Sequence, residues 1–224
     1  MADDVRLKRS RVPRMEGAMA RWYARQRGSE PQLDGYRRMA VQLTEGLPDG
    51  AAILEVAPGP GYHAVELARL GRYRVSTLDV SRTFVDMVRS RVRDAGVDVD
   101  VRLGDVHDMP FADGSFDLVV CQAAFKNFTG PVRALDEMCR VLRPGGTAVV
   151  QDMSHEATSA DIAREVRGMR LSRLNAFMTR SVLAVLRLRA FSAQRFTGLA
   201  AASRFGTCEV YHDGIGLEVR LRRP

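Results

Sequence analysis

Three carboxylates and one glycine-rich turn are set apart by where they fall against the apolar runs of the chain. Ala51-Ala52-Ile53-Leu54-Glu55-Val56-Ala57 is a short apolar run that stops at Pro58-Gly59-Pro60-Gly61. A run of that length before Gly/Pro punctuation reads as a buried strand. Gly59 and Gly61 let a ligand approach the backbone with no Cβ in the way. Gly59-Pro60-Gly61-Tyr62-His63-Ala64 fits G-x-G-x-x-A, the dinucleotide fingerprint, but the prolines work against that reading. A pyrophosphate wants free backbone N–H groups at a helix N-terminus, and Pro58 and Pro60 each remove one. A nucleoside ligand without phosphate does not need them. Glu55 lies inside the strand, two residues before the turn. Asp79 follows a second strand, where a carboxylate can accept both hydroxyls of a ribose. Asp105, in Leu103-Gly104-Asp105-Val106, follows a third, where a carboxylate can accept the exocyclic amine of adenine. One acid at a strand end is ordinarily a turn or cap residue; three at successive strand ends beside this turn form a nucleoside-binding pattern.

The elements that must position these groups alternate along the chain. Residues 15–28 and 33–47 have helical apolar spacing and read as an N-terminal cover. A helix over 62–70, a strand over 73–78, a helix over 82–95, a strand over 97–103, a strand over 116–121, a helix over 131–142 closed by Arg143-Pro144-Gly145-Gly146, and a strand over 147–152 follow. Such alternation implies parallel pairing through right-handed crossovers. It stops between 155 and 190, where two helices are inserted. A last helix over 192–204 and two strands, 207–212 and 215–222, joined by Asp213-Gly214, end the pattern as an antiparallel hairpin. The expectation is one α/β domain, doubly wound, with a mostly parallel sheet: a helical cover over 1–49, a ligand-binding core over 50–154, a helical cap over 155–190, and a final helix and antiparallel hairpin over 191–224.

Ile53-Leu54-Glu55-Val56-Ala57-Pro58-Gly59-Pro60-Gly61 resembles the cofactor-binding signature of class I S-adenosylmethionine-dependent methyltransferases, whose cofactor carries no phosphate. The segment Gly104-Asp105-Val106-His107-Asp108-Met109-Pro110-Phe111-Ala112-Asp113-Gly114-Ser115-Phe116-Asp117 is similar to the adenine-contacting stretch of their small-molecule branch, and 135–146 to the helix and turn before their fifth strand. The resemblance covers about residues 50–152, with Ala57 where many members have glycine. It implies the Rossmann-like methyltransferase fold and S-adenosylmethionine as cofactor. Glu55, Ala57, Gly59 and Gly61 would face the methionine part, Asp79 the ribose, and Asp105 and Val106 the adenine. Gln122 and Ala123 would line the pocket near the sulfonium.

Methyl transfer from a sulfonium is an in-line displacement that needs alignment, and a base only when the acceptor must lose a proton. His155, following the fifth strand, points to the acceptor side and is the candidate base. His63, His107 and His212 read as loop, helix or hairpin residues. Cys121 reads as a small core residue, and Tyr23 as a helix-packing residue that could close over the cofactor carboxylate. The cysteines, Cys121, Cys139 and Cys208, offer neither a disulfide framework nor metal-ligand spacing, so no metal is expected and a reducing cytoplasm fits.

The net charge is +7, with a pI near 9.9, and it is uneven. Residues 1–30 hold eight Lys/Arg against four Asp/Glu, and 155–195 hold eight Arg against three Asp/Glu. Basic excess can signal nucleic acid. Here no aromatic-interleaved basic patch accompanies it, and the fourth strand ends Cys121-Gln122-Ala123-Ala124, without the Asn/Asp-Pro-Pro-aromatic tetrapeptide of base methylases. The partner expected is a small molecule, with an acidic acceptor and a homodimer as further readings. Nucleic acid is not expected, nor a membrane, since no apolar run reaches about 18 residues. The competing readings are a nicotinamide-dependent oxidoreductase and a nucleic-acid methyltransferase or basic RNA-binding protein. Within 160–190, Arg164, Arg167, Arg170 and Arg173 recur every third residue as a basic band. The apolar residues there are expected to pack on the 15–47 helices.

Overall fold

The run over 52–56 is buried at every position, the requirement on a strand covered by helices on both faces. The structure, a computed structural model, describes residues 15–169 and 172–224. Seven strands, β1 (Ala52–Val56), β2 (Arg74–Asp79), β3 (Asp100–Leu103), β4 (Phe116–Gln122), β5 (Leu142–Met153), β6 (Glu209–Asp213) and β7 (Gly216–Arg222), form one sheet in the order β3-β2-β1-β4-β5-β7-β6. The first five pair in parallel, and β7 runs antiparallel to both its neighbours. The order reverses direction between β1 and β4, which is where ligands bind in open α/β sheets.

Alternate residues of the central strands enter different cores. Ile53, Leu118 and Val120 join Leu67, Val75, Ala40 and Leu43 on one face. Leu54, Val56, Val119 and Cys121 join Phe125, Met138, Phe196 and Val219 on the other. The first face is covered by α2 (Glu30–Leu43), α3 (Tyr62–Arg69) and α4 (Arg82–Ala95), the second by α5 (Pro131–Val141) and α8 (Ala193–Ala201). Helix α1 (Gly17–Arg27) is fixed to the start of α4: Glu16 accepts from the N–H groups of Arg82 and Thr83 and from the Thr83 hydroxyl, and Ser81 Oγ donates to Met15 O. Partial burial opposes ionisation of Glu16, but these donors and the helix N-terminus hold its carboxyl below the usual range.

Several expectations are corrected. The third strand is shorter, Asp100–Leu103 rather than 97–103. The turn read at 143–146 is a bulge inside β5: Phe116 pairs with Leu142 and Leu118 with Thr147, so the strand begins five residues early. The insert folds as α6 (Ser159–Gly168), with its Thr158–Asp161 capping box, and α7 (Arg173–Arg189). Because one helix ends at Gly168 and the next begins at Arg173, the arginine band does not run along a single helix; Arg170 and residues 1–14 lie outside the described residues. Nor is the apolar side of α7 covered by the 15–47 helices. Ile162 and Val166 of α6 are buried, whereas Leu174, Phe177, Met178, Val182 and Val185 are exposed. The 3.6 period identifies residues that share a face, but not what that face meets. Among the described residues no helix is long and apolar enough to cross a membrane.

Candidate active site

Asp79 ends β2 as a buried carboxylate tied to the glycine turn. Its Oδ1 accepts from Ser81 N at 2.8 Å and its Oδ2 from Gly59 N at 3.2 Å. Burial pushes its carboxyl up to about 7 in spite of these donors. The turn itself is left-handed at three residues: Ala57 at φ +54°, Gly59 at +55° and Gly61 at +81°. Gly61 caps the N-terminus of α3, and a Cβ there would stand 2.7 Å from Val88 Cγ2 of α4, so no larger residue fits. Ala57 occupies a conformation glycine takes more easily, the physical reason glycine is common at that position. Its N–H donates to Leu78 O at 2.8 Å.

Glu55 lies in the floor of this cradle. His63, in the first turn of α3, places Nδ1 3.3 Å from Glu55 Oε1, near enough to pair but out of line for a hydrogen bond. Both side chains are buried, and among the described residues Glu55 Oε2 and both His63 ring nitrogens have no hydrogen-bond partner. A buried carboxylate oxygen without a donor is costly, and it fits a cationic donor such as an α-amino group. Tyr23 of α1 crosses the turn, with its ring carbon 3.8 Å from where a Gly59 Cβ would stand and its ring edge-on to Phe84 at 6.1 Å. Arg27 lies 5.6 Å from the Tyr23 ring centroid and interacts with Tyr36.

The neighbouring strand ends complete the rim. Gly104 N donates to Asp79 O at 2.9 Å, bringing the end of β3 against β2. Asp105 Oδ1 accepts from His107 N at 3.0 Å and contacts His107 Nδ1 at 2.6 Å, while Gly130 N donates to His107 Nε2. With Nε2 accepting, Nδ1 carries the proton, which assigns the neutral tautomer donating to Asp105. Val106 is buried beside it. On the other side of β1, Gln122 ends β4 and donates to Gln151 Oε1 at 3.2 Å and to Met39 Sδ; Ala123 is left-handed at φ +53°. Lys126 and Asp152 form a buried ion pair at 2.6 Å, with Lys126 Nζ also donating to Ala123 O at 2.7 Å.

The structure therefore brings Tyr23, Glu55, Ala57, Gly59, Gly61 and Asp79 together at the ends of β1 and β2, with Asp105 and Val106 beyond β3 and Gln122 and Ala123 beyond β4. His155 stands apart. It is exposed past the end of β5, its Nδ1 3.1 Å from Arg187 O, and β5 is two strands from β1, roughly 10 Å across the sheet. His212 is on the outer strand, 3.7 Å from Glu156. Cys121 is fully buried, which raises its thiol pKa and leaves it a core residue. Glu16, Arg27, His63 and Lys126 belong to the surroundings of the site and carry no motif of their own. Among the described residues no group of three or more His, Cys, Asp or Glu side chains could hold a metal ion.

Residues 54–150 match the family described as a methyltransferase domain. Over 117 residues, half of the chain, the sequence is 35% identical to the ubiquinone/menaquinone biosynthesis C-methyltransferase of Laribacter hongkongensis, of which 46% is covered. Over 124 residues, 55% of the chain, it is 37% identical to the demethylmenaquinone methyltransferase of Renibacterium salmoninarum, of which 50% is covered. The chain thus spans about half the length of these curated relatives. The fold is shared with a SAM-dependent methyltransferase of Aquifex aeolicus, at TM-score 0.68 and 16% identity over 91% of this chain and 98% of that one. Residues 54–150 thus form a methyltransferase domain, and that match, with the relatives and the shared fold, supports what the glycine turn and strand-end acids suggested: a class I S-adenosylmethionine-dependent methyltransferase.

Proposed function

We propose that the protein transfers a methyl group from S-adenosylmethionine to a small-molecule acceptor. The observation that carries this reading is the buried Asp79, bonded to the Gly59 N–H beside an unpartnered Glu55 oxygen. The residues fit the cofactor. Asp79 has lone pairs left for ribose hydroxyls, since each carboxylate oxygen accepts more than one donor. Glu55 Oε2 suits the amino group and Arg27 the carboxylate of the methionine part, with Tyr23 over the turn. Asp105 and Val106 serve the adenine. When bound, S-adenosylmethionine supplies an electrophilic methyl group on its sulfonium. The chain's part is to hold the acceptor in line and exclude water, a role that falls to Gln122, Ala123 and the residues past β5.

For an acceptor that reaches from the cofactor across the ends of β4 and β5 and is protonated at neutral pH, we take His155 as the base, its distance from β1 limiting it to acceptors of that reach. Donation from Nδ1–H to Arg187 O leaves Nε2 as the basic nitrogen. Because two relatives are named for quinone biosynthesis, one of them as a C-methyltransferase, a ring carbon of a hydroquinone is the first acceptor to test. Calorimetric titration with S-adenosylhomocysteine and with NAD separates a methyltransferase from a nicotinamide enzyme. Transfer of label from methyl-labelled cofactor to hydroquinones, phenols, amines and carboxylic acids then identifies the acceptor. NAD binding without S-adenosylhomocysteine binding would overturn the reading.

A further inference from the structure

Helix α7 is built inside out. At 100° per residue, Leu174, Phe177, Met178, Val182, Val185 and Leu188 fall within an arc of about 140°, and each is 56–69% exposed. Ala176, Thr179, Leu183, Leu186 and Arg187, which are partly buried, occupy the opposite side, where α7 meets α6. The outward face of the helix is therefore its apolar one, the reverse of a surface helix in a water-soluble protein. A contiguous exposed patch of large apolar side chains marks an interaction site. Arg173 and Arg180 flank one border of this arc, Arg189 lies within its other edge at the C-terminal end of the helix, and α7 holds four arginines and no Asp or Glu.

A second helix shows the same pairing of apolar and basic groups. Met19 and Trp22 of α1 are 63% and 55% exposed, Arg25 lies beside Trp22 at the border of that face, and Gly17–Arg27 contains no acid. The two helices are anchored at the same end of the sheet. Tyr23 of α1 covers the glycine turn at the carboxyl end of β1. Two residues past α7, Phe191 pairs with Ser154, directly beyond the carboxyl end of β5.

We infer that α7, assisted by α1, docks the protein on an anionic phospholipid surface with the mouth of the site turned toward the bilayer. Charge selects this occupant. A second copy of the chain would set Arg173, Arg180 and Arg189 against the same three, and an uncharged apolar partner would leave these guanidinium groups without counter-charge. At a bilayer surface the apolar arc enters the headgroup–acyl boundary while arginines at its edges extend to lipid phosphates. No membrane span is needed for this mode of binding. The inference does not depend on which acceptor is methylated.

Flotation of the full chain with vesicles tests it. The protein should float with vesicles containing phosphatidylglycerol and remain behind with pure phosphatidylcholine, and added salt should release it. Arg173→Gln, Arg180→Gln and Arg189→Gln should each weaken binding about fivefold. Phe177→Ser with Leu188→Ser should weaken it at least about tenfold. These side chains are exposed, so the variants should keep their circular dichroism spectrum and wild-type affinity for S-adenosylhomocysteine. Absence of binding to phosphatidylglycerol vesicles, or equal binding to both vesicle types, would overturn the inference. So would a dimer in sedimentation equilibrium that Phe177→Ser dissociates, since the face would then be a contact between copies.

Discussion

Replacing Asp79 with asparagine keeps the shape of the side chain but removes its charge and sets an amide NH2 against the N–H of Gly59 or Ser81, which the carboxylate now accepts. Loss of a hydrogen-bond partner of this charged kind costs about 1.5–3 kcal/mol, so affinity for S-adenosylhomocysteine should fall about 10- to 150-fold. The wild-type pH dependence provides a separate check. Burial, with Glu16 nearby, raises the Asp79 carboxyl to about 7 in the free protein. Accepting both ribose hydroxyls takes both carboxylate oxygens free of a proton, so ligand binding expels the proton at lower pH. With a free-protein pKa of about 7 and a carboxylate that stays ionised when ligand is bound, affinity should fall about tenfold from pH 8 to pH 6. Asp79→Asn should abolish that dependence. Stability of the free protein should move in the opposite sense. A carboxyl whose folded pKa lies above its unfolded value near 3.8 keeps its proton on folding. It therefore favours the folded state below about pH 4 relative to pH 7, and this contribution is lost as pH rises between the two values. Titration calorimetry at pH 6, 7 and 8 on both proteins decides the matter. A flat wild-type profile, or unchanged affinity in the variant, would show that Asp79 does not hold the ligand.

Gly61→Ala forces a side chain into a φ of +81° and against Val88, and should cost about 1–3 kcal/mol in urea unfolding; Val88→Ala in the same chain should recover part of it. Lys126→Met leaves Asp152 buried without its counter-charge and should destabilise by about 3–5 kcal/mol, most of it regained by adding Asp152→Asn. Equal melting temperatures for the single and double variants would show that the pair is not what holds this corner. His155→Ala should lower turnover by about 10²–10⁴ on an acceptor that must lose a proton, with cofactor affinity unchanged; near-normal turnover would assign the proton to another group or to water.

The cradle was legible because its parts are local. An apolar run, a Gly/Pro turn and an acid at the next strand end depend on neighbours in sequence, and Glu55, Gly59, Gly61 and Asp79 fall where that pattern sets them. The helix over 82–95 is bounded by Ser81, whose hydroxyl accepts from Phe84 N, and by the left-handed Gly96, both visible as residue types. What escaped depends on contacts distant along the chain. Nothing in Phe125-Lys126-Asn127 announces that its lysine meets Asp152 of another strand. His63 looks like any residue in a first helical turn until α3 packs and sets it against Glu55. The outward face of α7 escaped for a further reason: an apolar stripe is ordinarily read as a core stripe, and the absence of acid in the same seventeen residues was the available signal that this one is not.

The place of β7 bears on how the protein is made. Residues 216–222 lie between β5 and β6, so one edge of β5 stays open until β7 has emerged and reached it. The ribosome must add 69 residues between Met153 and Arg222 before that can happen, about 3–14 s at ordinary elongation rates. Throughout that interval the nascent chain displays the edge of a strand that carries the buried Ala148, Val149 and Val150, a template for pairing with another unfinished chain. Expression should therefore depend on chaperones that shield nascent edges. It should also be sensitive to stalling between the codons for Met153 and Arg222, where a pause lengthens the interval in which synthesis and aggregation compete.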